Sequence, residues 1–100
     1  MYAKRYTVKN EVVVAVCDKE LIGKVLREGE LVLDLKKYSS FYVGELATPE
    51  SVLALLTEAT SINLVGEKAV GLAVKKGLAK KRDAKKIGGV PHLQIYAMEL

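Results

Sequence analysis

The chain has 100 residues, half of them apolar and 28% charged, with a single cysteine and a net charge of +4. That length and composition fit one domain, residues 1–100, able to bury a core but with little room for a separate cofactor domain. No apolar run approaches the roughly 20 residues that span a bilayer, and no apolar stretch of signal-peptide length follows the charged N-terminus, so a cytoplasmic location without membrane attachment is expected.

Tyr6 to Val8 and Glu11 to Val16, separated by Lys9 and Asn10, read as a β-hairpin. β-Branched residues dominate both arms, and Asn10 suits the positive φ of a tight turn. The second arm is almost continuously apolar, which predicts a central strand. Asp18 is then a natural N-cap for one helical turn, with Glu20 in its first turn. Gly23 argues against a long helix here, so a strand from Lys24 to Arg27 is expected, with a helix running to Glu28 as the alternative.

Glu28-Gly29 marks a turn, and Leu31, Leu33 and Leu35 alternate with polar or exposed positions as one face of a strand would. Lys36 to Ser40 is polar loop. Phe41 to Leu46 reads as an edge strand or a packed loop. Thr48-Pro49 is a helix start, an N-cap threonine followed by proline at the first helical position. Val52, Leu55, Leu56 and Ala59 line one face of the helix that follows.

Ile62 to Val65 is a short buried strand feeding a second helix. On that helix Ala69, Val70, Leu72, Ala73 and Val74 fill one broad arc, and Gly77 fits the left-handed residue that ends it. Ile87 to Pro91 breaks regular structure, and His92 to Met98 is a closing strand. The expected architecture is α+β, a mixed β-sheet with two main helices packed on one face. The strands Ile62–Val65 and His92–Met98, joined through a helix, suggest a right-handed parallel crossover.

Charge is unevenly spread. Residues 1–50 carry eight Lys/Arg and eight Asp/Glu, whereas residues 51–100 carry eight against four. Lys75, Lys76, Lys80, Lys81, Arg82, Lys85 and Lys86 place seven cations within twelve residues, opposed only by Asp83, and Gly88 and Gly89 follow. Such a cluster attracts phosphate backbones, and glycines beside it let backbone N–H groups approach a phosphate. Its plainer reading is a solvated lysine-rich surface. No helix-turn-helix, zinc-finger or RNP motif accompanies it.

Cys17 cannot form an internal disulfide, which agrees with a reducing compartment. It precedes a predicted N-cap, where thiolates have lowered pKa, and His92, the one histidine, is the candidate base to pair with it. With Glu45 and Asn63 these two make up a candidate pocket. One cysteine and one histidine do not suffice for a tetrahedral metal site, and no cofactor motif is present.

Several blocks in order carry a resemblance. They are Val16 to Lys24, Arg27 to Leu31, Phe41-Tyr42 with Gly44 to Leu46, Asn63 to Glu67, and Ile87 to His92. In this order the chain resembles an archaeal family of small uncharacterised proteins, domain of unknown function 424. The resemblance implies a cytoplasmic archaeal protein with a loose association with translation, and brings no catalytic residue. The lysine-rich stretch does not carry it. The reading leans to a non-enzymatic module that binds RNA, a ribosome or a translation factor through residues 75–86. A protein-interaction module or homodimer using a sheet edge and the Phe41-Tyr42 surface is the alternative, and an enzyme built on Cys17 and His92 comes third.

Overall fold

The computed structural model describes residues 1–96. Tyr2–Val8 (β1) and Glu11–Cys17 (β2) pair antiparallel from Tyr2↔Cys17 to Val8↔Glu11, as the hairpin pattern predicts. The positive φ of the turn falls on Lys9, at 56°, and not on Asn10. A 3₁₀ turn at Lys19–Leu21 leads into Val25–Glu28 (β3), which pairs with Leu31–Asp34 (β4) as a separate two-stranded sheet. Burial deepens along β4's predicted inner face, from exposed Leu31 to fully buried Leu35 just beyond the strand, because the hairpin tip reaches past the core.

Phe41 to Leu46 divides in two. Ser39–Tyr42 forms a single helical turn (α1), and Glu45–Leu46 a two-residue edge strand (β5) on β1. Pro49–Glu58 (α2) starts as predicted: Thr48 Oγ1 accepts from the Ser51 N–H at 3.2 Å and Ser51 Oγ accepts from the Thr48 N–H at 3.0 Å, a capping box. Ser61–Val65 (β6) then feeds Glu67–Lys76 (α3), which Gly77 ends in the left-handed conformation at φ 83°.

The remaining chain departs from expectation in part: the closing strand is present, and the positions 97 and 98 expected in it lie outside the described residues. Lys85–Ile87 (β7) and Val90–Ile95 (β8) form a hairpin around Gly88 and Gly89, whose φ values of 57° and 79° are those that a tight two-residue turn demands. The glycines are the turn of a strand pair, not a break in regular structure. β8 runs antiparallel to β6, so the proposed crossover between them is absent. The parallel pair is β2 with β6, from Val13↔Ser61 to Cys17↔Val65. The main sheet has the order β5-β1-β2-β6-β8-β7.

Strand alternation assigns the two faces. Val14, Val16, Ile62, Leu64 and Leu93 point to one face, where Val52 and Leu56 of α2 and Ala69, Val70 and Ala73 of α3 cover them. Both main helices pack there, as expected. Ala15, Cys17 and Val65 point to the other face, beneath Leu21, Leu35 and Tyr42. Each fully buried aliphatic side chain contributes on the order of 1.5–3 kcal/mol, so the helix face carries most of the stability.

Candidate nucleic-acid interface

The seven predicted cations fall on three successive elements. Lys75 and Lys76 close α3, Lys80 to Arg82 surround a 3₁₀ turn at Lys81–Asp83, and Lys85 and Lys86 open β7. All seven are exposed. The one acid among them turns inward on its own loop, Asp83 Oδ2 accepting from the Lys80 N–H at 2.8 Å. Among the described residues the ion pair within 4.0 Å is Arg5 with Glu58, far along the chain, so the cationic face is not neutralised.

Strand geometry divides the cluster. Lys86 stands opposite Pro91 and lies on the helix face, whereas Lys85 stands opposite His92 and points to the other side. The glycines differ too. The Gly88 N–H donates to Glu28 Oε1 at 3.0 Å, so it anchors the small sheet and is not open to a phosphate; Gly89 is exposed.

Between α3 and β7 runs a groove of about 250 Å³. Glu67, Val70, Gly71 and Val74 form one wall, one face of the helix at i, i+3, i+4 and i+7. Lys81, Ala84, Lys86 and Pro91 form the other. A shallower hollow of about 700 Å³ continues from Val74 and Lys81 past Gly77 to Lys80 and Arg82. Sequence reasoning placed Lys81 and Lys86 here but missed the groove and its floor. The available signal was Gly71, a glycine inside a helix; its added Cβ would meet nothing within 4 Å, so packing does not require it.

A second polar region lies on the opposite face of the sheet. Asn63 Oδ1 accepts from Tyr42 Oη at 2.7 Å and from His92 Nε2 at 3.0 Å. His92 therefore carries its proton on Nε2, and burial holds its pKa below the ordinary 6.5. Burial, and after it the neighbouring Cys17, pushes the Tyr42 phenol up. Cys17 is fully buried, its thiol pushed up to about 12 by burial and then by Asp18 and Glu20. A thiol so protonated is a poor nucleophile.

Asn63 and His92 thus meet, but Cys17 and Glu45 do not join them in one pocket. Cys17 pairs with Val65, which pairs with His92, so two strand spacings of about 4.8 Å separate thiol and imidazole positions. Glu45 lies on β5, three strands from Asn63. Among the described residues no three His, Cys, Asp or Glu side chains converge on one point.

The N-terminus of α3, a natural anion site, is filled from within. Asp18 does not cap its own 3₁₀ turn as expected. Its Oδ2 accepts from the Lys68 N–H at 3.0 Å and its Oδ1 from the Ala69 N–H at 2.9 Å. Gly66 permits this approach, since it sits at φ 111° and any Cβ there would overlap the Asp18 carboxyl. β2 and β6 run parallel and end together, which brings Asp18 to the start of α3 across the sheet.

These features define a small α+β protein, a mixed six-stranded sheet with two helices on one face, a hairpin on the other and an unneutralised lysine surface at one edge. The model for a family described as protein of unknown function (DUF424) matches residues 6–98, and the chain belongs to that family. A crystal structure of an uncharacterized conserved protein from Methanopyrus kandleri is similar, with 28% identity and a TM-score of 0.80 over 99% of this chain and 92% of that one. No curated protein matches the chain. No helix among the described residues is long and apolar enough to cross a membrane.

Proposed function

We propose that this is a non-enzymatic cytoplasmic module that binds RNA, free or within a ribonucleoprotein of the translation apparatus, through the lysine face. The observation that carries the reading is the lack of carboxylate partners. Seven exposed cations lie on α3, the following 3₁₀ turn and β7, and none has an ion pair among the described residues. Unpaired charges clustered at one edge of the sheet attract phosphate over distance and release counterions on contact.

The test is RNA binding by fluorescence anisotropy across a salt series. Affinity should fall with salt at a log–log slope of about −0.7 per phosphate contact for single strands. Replacing Lys80, Lys81, Arg82 and Lys86 with Ser should flatten that slope and leave the melting temperature nearly unchanged, because exposed charges contribute little to stability. No binding at about 50 mM salt, or equal slopes for both proteins, would overturn the reading.

A homodimer or protein-interaction module is favoured by one other observation. β5 covers only Tyr2 and Ala3 of β1, so the sheet leaves the rest of that edge unpaired, beside a Leu46 that is 63% exposed.

A further inference from the structure

We infer that the groove between α3 and β7 receives an unpaired base of single-stranded RNA, the flanking phosphates lying on Lys81 and Lys86. The inference rests on the RNA reading above and narrows its substrate to an open strand. At about 250 Å³ the groove falls below the roughly 300–1,000 Å³ of drug- and cofactor-sized sites, which suits one small planar group. Val70, Val74 and Pro91 give it apolar walls, the kind of slot that holds a base taken out of its stack.

The polar groups at its rim are arranged for such a ligand. The Gly66 N–H donates to the Pro91 carbonyl at 2.9 Å, which puts Pro91 and the facing Lys86 at the Glu67 end. Lys81 lines both this groove and the hollow beyond Val74 and Gly77, so it stands at the far end. Lys86 and Lys81 thus line the groove toward opposite ends, where each can meet a phosphate of a bound strand. The Glu67 side chain has no hydrogen bond or ion pair among the described residues, and its carboxylate offers only acceptors. It matches the N–H donors on the pairing edge of an unpaired base, an edge that a duplex conceals.

Gly71 gives independent support. It lies at a non-terminal position of α3, needs no positive φ, and has open space where a side chain would stand. A bulky side chain there would fill the groove from the helix side.

The experiment uses the full chain and three probes: a short unstructured RNA strand, the same strand annealed into a blunt duplex, and inorganic polyphosphate. Wild type should bind the single strand more tightly than the duplex. Gly71→Leu should lower single-strand affinity about tenfold or more, the scale of one lost base contact, while duplex and polyphosphate binding stay as in wild type. Ala84→Leu, filling the groove from the opposite wall, should act in the same direction, and far-UV circular dichroism checks that both variants fold. Equal single-strand affinity in wild type and both filled variants would overturn the inference and leave the lysine face standing. Failure of wild type to bind either RNA would remove the RNA reading and this inference together. Tighter binding of an acidic amphipathic peptide than of the single strand, abolished by Gly71→Leu, would assign the groove to a protein partner and overturn it.

Discussion

Asp18 and Lys86 are both charged residues close to α3, and their surroundings are opposite. Asp18 is 2% exposed, yet its two carboxylate oxygens accept amide N–H groups at 3.0 and 2.9 Å at the positive end of the helix. Lys86 is exposed beside a groove and has no carboxylate within reach among the described residues. The same contrast separates two larger regions. On the hairpin face, Tyr42 Oη and His92 Nε2 both donate to Asn63 Oδ1. Along α3, Glu67, Lys81 and Lys86 line an apolar hollow, and none of the three has an ion pair among the described residues. Residue types that suggest catalysis lie in the first region, but Tyr42 Oη, Asn63 Oδ1 and His92 Nε2 are held in hydrogen bonds within the fold. The second presents one carboxylate and two ammonium groups whose charges remain available to a ligand.

The largest test of that contrast is Asp18→Ala. The variant removes two charge-assisted hydrogen bonds and leaves the Lys68 and Ala69 amides, the latter in a buried setting, without their acceptor. A loss of about 2–4 kcal/mol is expected from the cap and the unsatisfied donors together, a large part of a total near 5–15. Urea denaturation would measure it. A change below about 0.5 kcal/mol would mean that Asp18 is not structural, and the division between the regions would fail.

His92 supplies a smaller effect with a definite sign. Its folded pKa lies below 6.5 because burial disfavours the imidazolium. Between that lowered value and 6.5 the unfolded chain binds a proton that the folded chain does not, so stability falls as pH drops through this window and levels off below it. Melting temperatures between about pH 7.5 and 5.5 should decline in wild type and decline less in His92→Asn. Identical pH profiles would show that His92 is not held neutral by the fold.

Much of this fold is legible in local pattern. The β1–β2 hairpin, the Thr48-Pro49 start of α2 and the Gly77 stop of α3 follow from turn chemistry, capping and periodicity, all short-range. The errors concern long-range partners. Asp18 reads as a cap for the residues after it, but its amide partners lie some fifty positions away, and only the parallel β2–β6 pairing brings them together. Direction of pairing is equally hidden, which is why β6 and β8 read as a parallel crossover. Ile87 to Pro91 was legible in principle, since Gly-Gly between short β-runs is a hairpin signal, but the lysines before it obscure the strand. For the candidate site the cations are plain in the sequence. That Lys86 joins Lys81 on the groove while Lys85 faces away depends on the register of β7, which composition cannot give.

Gly71→Ala is the mildest change and sharpens the contrast most. A glycine inside a helix is less favourable than alanine by about 0.5–1 kcal/mol, through the extra freedom of the unfolded chain. Where packing demands glycine, alanine is worse still; at Gly71 a Cβ meets nothing within 4 Å and φ is not positive, so that demand is absent. Gly71→Ala should therefore stabilise the protein by about 0.5–1 kcal/mol, which for a chain of this size raises the melting temperature by several degrees. One methyl group leaves most of the groove open, so RNA affinity should stay within about threefold of wild type, unlike the loss expected for Gly71→Leu. Calorimetry and the same anisotropy titration would settle both halves. A lower melting temperature for Gly71→Ala would return the glycine to the fold's own requirements, and the α3 flank would then lose the feature that best distinguishes it from the interior.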